Sequence, residues 1–241
     1  MSNSSKVSII TVVFNGEKFL EKTIKSIINQ TYENVEYIII DGGSTDATVD
    51  IIKKYEGRID YWASEKDNGI YDAMNKGIDL ASGEYLLFLG ADDHLHKNII
   101  NDIFKDTQKE YSLIYGNVLY STGLFVKSKY SFKTYLHNTI HHQAAFYHRK
   151  LFNTFRYDIK YKITADYELN LIIFLYDRRN SIYLDKIVSV CTEDGISRTE
   201  IYKAHNEMKK IRSKYIAPIF NIIFNILLAT KLAIMKLRVR H

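Results

Sequence analysis

Short uncharged, β-branched runs alternate along this chain with stretches whose apolar residues recur every three or four positions. VSIITVVF (Val7–Phe14) is a run of the first kind and predicts a buried strand. Asn15 follows and is able to cap a helix, in which Phe19, Leu20, Ile24, Ile27 and Ile28 fall at helical spacing with charges between them. VEYIIIDGGSTDATVDIIKKY predicts a strand, a polar glycine loop and a helix. Ser44 or Thr45–Asp46 would cap that helix, whose apolar positions are Val49, Ile51 and Ile52. IDYWASE suits a short strand. GIYDAMNKGIDLASG places Ile70, Ala73, Met74, Gly77 and Ile78 on one face of an amphipathic helix ended by Gly83, and EYLLFL is another buried strand.

Strands and helices alternating through short links predict parallel βαβ units, with ligands gathering beyond the carboxyl ends of the strands. Those ends carry Phe14–Asn15, Asp41 and Asp92–Asp93. After Tyr111 the pattern loosens. SLIYGNVLY, GLFVKSKYSF and SIYLDKIVSVCTED predict strands of a mixed sheet, and TADYELNLIIFLY predicts a helix starting near Thr164 with Asp166 and Glu168 in its first turn. Near the end, YIAPIFNIIFNILLAT (Tyr215–Thr230) carries no charge, and Pro218 suits the start of a helix. The run is shorter than the roughly 20 residues a spanning helix needs. With basic flanks it predicts a helix lying in an anionic membrane face; packing on the protein or on a partner subunit is the other reading.

Composition changes this picture in one respect. The chain has 241 residues, 46% hydrophobic and 25% charged, which is globular in character. The net charge of +5 is uneven: residues 203–241 hold nine Lys/Arg and one acid, or +8, leaving the first 202 residues at −3. A broad nucleic-acid-binding face is therefore not expected on the main domain, and the basicity belongs to the tail. The single Cys191 excludes an internal disulfide and any multi-cysteine zinc site, and fits a reducing compartment. No charged N-terminal segment precedes a long apolar run, so no signal peptide is expected.

The candidate chemistry is carboxylate chemistry. Asp92 and Asp93 stand side by side at a strand end, where two like charges repel unless something neutralises them. Mg²⁺ or Mn²⁺, which takes carboxylate oxygens together with substrate phosphate oxygens, would do so; a turn aspartate with a surface neighbour is the plainer alternative. His94 and His96 follow, and loop packing is the favoured role for both. His141, His142 and Gln143 form a second polar cluster, in which two adjacent histidines cannot project together.

The ordered set VSIITVVFNGEKFLEKTIKSIINQTY, EYIIIDGGSTDATVDII and EKDNGIYDAMNKGIDLASGEYLLFLGADD resembles the family 2 glycosyltransferases of the GT-A type. DGGSTD and DNGIYDAMNKG are similar to bacterial enzymes that build surface polysaccharides, and a weaker match continues through HHQAAFYHRKLF and YKITADYEL. The resemblance implies a GT-A fold: a Rossmann-like, mixed and mostly parallel α/β sheet flanked by helices. It implies a nucleotide-sugar-binding half (1–110) and an acceptor half of the same domain (111–202); the basic, apolar helical tail (203–241), expected from its charge and apolar run to associate with membrane, lies outside the resemblance.

The activity it implies is metal-dependent, inverting hexosyl transfer from a UDP-sugar to a saccharide, polyprenyl-diphosphate linked, at the inner face of the cytoplasmic membrane, with a homo-oligomer possible. A catalytically silent nucleotide-sugar-binding scaffold is the alternative. By family position, Thr11, Val13 and Phe14 line base and ribose, and Asp41 accepts a hydrogen bond from the uracil ring; as a residue alone, Asp41 also suits a turn before Gly42–Gly43. Asp67 and Asn68 border the nucleotide pocket and Asn75 reaches ribose or sugar, while Met74 is core. GADD matches the metal motif with Gly90 in the place of an earlier aspartate, so Asp93, with Asp92, carries the metal expectation. His142 and Gln143 become substrate contacts. Asp166 matches the catalytic base, a role compatible with a first-turn helix carboxylate, and Glu168 is the competing base.

Overall fold

The structure is a computed structural model that describes residues 4–105, 107, 109–192 and 200–238. The first half realises the predicted βαβ units: β1 (Val7–Val13), α1 (Leu20–Ile28), β2 (Val35–Asp41), α2 (Thr48–Lys54), β3 (Tyr61–Ser64), α3 (Ile70–Leu80) and β4 (Tyr85–Gly90). After β5 (His94–Leu95) and α4 (Ile99–Phe104) come β6 (Leu113–Tyr120), β7 (Phe125–Val126), β8 (Ala145–His148), α5 (Ala165–Ile172) and β9 (Ser181–Cys191). Two helices close the chain, α6 (Ile201–Tyr215) and α7 (Pro218–Arg238).

One sheet runs β3-β2-β1-β4-β8-β6-β9-β5, with β7 on β6. The parallel ladders β1·β2, β1·β4, β2·β3 and β6·β9 are long, whereas the antiparallel ones hold only two or three residue pairs each. β1 is buried on both faces because apolar side chains alternate into two cores: Ile10 and Val12 pack with Ile38, Met74 and Phe88, while Val7 and Ile9 pack with Leu20, Ile24 and Ile39. Met74 is thus core, as its helical spacing predicts. The register brings Val13 opposite Asp41, Asp41 opposite Ser64, and Val12 opposite Gly90. Three strand ends therefore meet at one edge, which is where the cleft lies.

Several local expectations are corrected. Asn15 does not cap α1. It takes a positive φ of 50°, which asparagine tolerates better than most residues, and its Oδ1 accepts from the Thr45 amide 2.9 Å away, tying two cleft loops together. Within GLFVKSKYSF only Phe125–Val126 pair; the chain then turns through Ser131, whose hydroxyl caps a short 3₁₀ turn, Phe132–Tyr135. α3 stops at Leu80, with Ala81 already extended, before Gly83 is reached. The helix begun at Ala165 loosens after Ile172 into a π-helical turn, Ile173–Asp177. The predicted strand SIYLDKIVSVCTED ends at Cys191, and its last two residues lie outside the described ones.

The tail boundary also moves. Ala204, Met208 and Ile211 of α6 are buried in the same core as Tyr71, Tyr147 and Tyr167, so α6 belongs to the globular body although its sequence reads as basic and polar. Its lysines face outward and its core stripe is narrow, which is why net charge hid it.

Candidate active site

Two cavities lie side by side at the carboxyl edge. The first, about 560 Å³, is lined by Val12, Val13, Phe14, Gly42, Lys66, Asp67, Gly69, Ile70, Ala73, Gly90, Ala91 and Asp92. The second, about 400 Å³, takes in His137, Asn138, His141, His142, Gln143, Thr164, Asp166, Cys191, Thr192, His205 and Met208. They meet where the Thr192 hydroxyl donates to Asp92 Oδ2. That contact follows from register: β5 pairs antiparallel with β9, His94 opposite Val190, so the residues before His94 run beside those after Val190.

Asp92 and Asp93 sit differently. Asp92 faces the first cavity, while Asp93 is buried and accepts from the Gly90 amide at 2.9 Å. A Cβ on Gly90 would stand 2.9 Å from Asp92 Oδ1 and 3.1 Å from Asp93 Oδ2, so both carboxylates pack closely over the bare backbone of this turn. The Thr23 hydroxyl of α1, 2.6 Å from the carbonyls of Ala91 and of Asp93, pins the same turn from below. Burial, and then the charge of Asp92, push the Asp93 carboxyl up to about 6. Burial and Asp93 likewise push the Cys191 thiol up, leaving it neutral. Two adjacent carboxylates, one of them buried and costly to ionise, offer oxygen donors of the kind a hard divalent cation takes, to be completed by phosphate and water oxygens. Among the described residues no three His, Cys, Asp or Glu groups surround one point, so these two side chains alone would not enclose it.

Asp166 opens α5 and is almost fully buried. The Tyr71 hydroxyl stands 3.0 Å from its Oδ1, and Oδ2 accepts from Asn138 Nδ2 at 2.8 Å and lies 3.1 Å from His142 Nδ1. Burial works against a charged His142, but the hydrogen bond and charge of Asp166, with Asp93 and Asp92 behind, outweigh it and raise its pKa. A carboxylate has lone pairs to spare beyond these three contacts, so Asp166 can accept a further hydrogen bond from the cavity. Glu168 is no rival. It points the other way, accepting from Lys214 Nζ at 2.9 Å and the Tyr215 hydroxyl at 2.6 Å, as expected two residues on around a helix.

The remaining sequence-predicted residues divide. Val13, Phe14 (62% exposed) and Asp67 line the first cavity, and Asp67 presses its carboxylate where a Cβ on Gly42 would be. Gln143 lies with His142 on the second. Asp41 is fully buried and its oxygens are occupied by the Gly43 and Ser44 amides and the Ser44 and Ser64 hydroxyls, so here it shapes the loop that bounds the cleft. Thr11 is buried within β1 beside the Tyr37 hydroxyl. Asn68 faces solvent and bonds Asp72, and Asn75 clasps the Tyr157 backbone with both ends of its amide. His94 pairs in β5 and His96 bonds Val188 and Gln30 through its backbone, in keeping with loop packing.

A family model described as glycosyl transferase family 2 matches residues 8–177, most of the chain. The chain belongs to glycosyltransferase family 2. It is similar to a PGL/p-HBAD biosynthesis glycosyltransferase of Mycobacterium bovis, 34% identical across 81% of this chain and 80% of the relative. It is also similar to an uncharacterised glycosyltransferase of Mycobacterium tuberculosis, 32% identical across 71% and 70%. Among solved structures, S. aureus TarS 1–349 in complex with UDP-GlcNAc superposes with a TM-score of 0.69 at 20% identity, over 86% of this chain and 66% of that one. In a second crystal structure of TarS 1–349 the chain spans 65% of that fragment's length, just under two thirds. Mannosyltransferase PcManGT from Pyrobaculum calidifontis, in complex with GDP-Man and Mn²⁺, superposes at 0.65 and 16% identity over 94% and 70%. The fold of this family 2 glycosyltransferase is therefore GT-A-like.

Sequence reasoning missed the residues that hold Asp166. Tyr71 and Asn138 leave no local pattern as its partners. Glu207 of α6 accepts from the backbone amides of Lys162 (2.8 Å), Ile163 (3.0 Å) and Thr164 (3.0 Å), capping the start of the Asp166 helix from 43 residues away. A capping residue next to its helix is legible in sequence; one supplied by another element is not.

Proposed function

We propose that this glycosyltransferase moves a hexosyl group from a UDP-sugar to a hydroxyl of a polyprenyl-diphosphate-linked saccharide, with inversion at the anomeric carbon. The observation that carries the reading is the adjacency of the two cavities. Nucleotide and diphosphate fit the first, between Phe14, Asp67 and Asp92; the acceptor fits the second, against Asp166. The sugar would bridge them at the Asp92–Thr192 contact.

An alcohol is a poor nucleophile until a base takes its proton. Asp166 takes that proton as the acceptor oxygen bonds to the anomeric carbon and the bond from that carbon to the diphosphate oxygen breaks. Attack from the face opposite the leaving group inverts the centre, and the negative charge departs with UDP. His142, whose pKa Asp166 raises, lines the acceptor cavity 3.1 Å from that carboxylate and would offset the departing charge in its protonated form. Asn138 and Tyr71 fix the carboxylate so that its free lone pairs point at the acceptor cavity. Mg²⁺ or Mn²⁺ held by Asp92 and Asp93 would supply charge neutralisation at the diphosphate.

A thermal-shift screen of UDP-, GDP- and dTDP-sugars with Mn²⁺ tests the donor class, since binding to the native state raises the melting temperature. UDP-sugars should stabilise most; a larger shift with GDP- or dTDP-sugars would replace the donor assignment.

A further inference from the structure

Helix α7 is amphipathic in the inverted sense. Asn221, Phe224, Asn225 and Leu228 turn toward the protein: Phe224 stacks on Tyr135 at 5.1 Å with ring planes 9° apart, and the two asparagine side-chain oxygens accept from Arg212. Arg212 is itself fully buried and also donates to the Tyr135 carbonyl at 2.9 Å, so the inner, more polar face of α7 is locked to the body. The other face carries Ile219 (62% exposed), Phe220, Ile222, Ile223, Ile226 and Leu227, all open to solvent. At about 100° per residue these six cover one continuous arc of roughly 160°, and the four inward residues fall in the opposite arc. A soluble helix does the reverse, burying isoleucine and exposing asparagine.

We propose that this outward face of α7 is a docking surface for an anionic lipid bilayer, on which the helix lies flat. Charge complementarity selects the occupant. Lys203, Lys209 and Lys210 are exposed on the preceding α6, and Lys231, Lys236, Arg238 and Arg240 follow the apolar stretch in the sequence, whereas residues 1–202 sum to −3. A second copy of the chain on this face would bring two strongly basic tails together; anionic headgroups neutralise them. Among the described residues no helix is long and apolar enough to cross a membrane, and one face of α7 is committed to protein, so the helix rests in the interface. The inference stands apart from the sugar-transfer reading, because the same Arg212 latch would present this face whatever the enzyme transfers. The two readings do converge. Tyr135, which Arg212 holds, lies three residues before Asn138, a partner of Asp166, so α7 is latched to the segment that leads into the second cavity.

Co-sedimentation of the full chain with vesicles tests it. Phosphatidylglycerol-containing vesicles should pull the protein down and pure phosphatidylcholine vesicles should not, with binding falling as salt rises. Ile222→Glu/Ile226→Glu should abolish binding without changing the melting temperature, since both side chains already face water. Lys209→Glu/Lys210→Glu should weaken it by at least about tenfold. Equal binding by the Ile222→Glu/Ile226→Glu variant, or a dimer in sedimentation velocity that this variant dissolves while anionic vesicles recruit nothing, would overturn the proposal.

Discussion

Asp93 shows how a single residue records the purpose of its surroundings. A buried carboxyl beside a second carboxyl is costly to ionise, and its pKa near 6 expresses that cost. The sign follows directly. Because the folded value lies above the unfolded one, the protein is favoured fully below about pH 4 and loses that advantage as pH rises through 6. In metal-free buffer, Asp93→Asn should therefore match the wild type near pH 4 and exceed it by roughly 2–3 kcal/mol above pH 7, read by urea unfolding. Mn²⁺ should raise the melting temperature of the wild type and leave that of Asp93→Asn unchanged. Wild-type and variant stabilities running parallel across pH would remove the electrostatic reading of this pair. Gly90 belongs to the same account: a Cβ there would stand 2.9 Å from Asp92 Oδ1 and 3.1 Å from Asp93 Oδ2, so a side chain would make both carboxylates shift.

At the scale of elements, α5 and α6 act as one unit. Glu207 holds the amides of Lys162, Ile163 and Thr164 that lead into α5, and Lys214 and Tyr215 hold Glu168 on its far side, so Asp166 projects from a helix gripped at two points. Glu207→Ala leaves three backbone amides without their acceptor and should cost about 1–3 kcal/mol. It should also lower kcat for transfer while leaving the donor KM nearly unchanged, because the first cavity does not touch α6; a loss confined to donor KM would contradict this placement. Elements of this kind mark the limit of what the chain reveals by itself. The βαβ half was legible because each strand and helix buries a face whose period is written locally, and its strand ends carry the cleft. The second half was less so: its antiparallel ladders are short, GLFVKSKYSF turns away after two paired residues, and α6 reads as a charged tail although Ala204, Met208 and Ile211 are core. Asp166 and the aspartate pair were visible as motifs, whereas Glu207, Asn138, Tyr71 and Thr192 serve them only through tertiary contact. Thr11 and Asn75, assigned by position in a pattern, are tied up in hydrogen bonds within the scaffold around the cleft, whereas Asn68 is exposed between the cavity-lining Asp67 and Gly69.

The whole molecule separates its tasks in space. The body holds two adjoining cavities at the carboxyl edge of one sheet, and an apolar helix followed by basic residues is latched beside the second cavity through Arg212. Donor and acceptor would thus approach from opposite sides of the Asp92–Thr192 junction, with Asp166 on the acceptor side only. That asymmetry yields the most direct test. In a single-turnover assay with a UDP-sugar, Mn²⁺ and a lipid-linked saccharide acceptor, the wild type should form an inverted glycosidic bond and release UDP. Asp166→Asn should bind the donor equally well by thermal shift yet transfer about 10²–10⁴-fold more slowly. Transfer by Asp166→Asn at the wild-type rate, or a product that retains the donor's anomeric configuration, would contradict the assignment of Asp166 as the base.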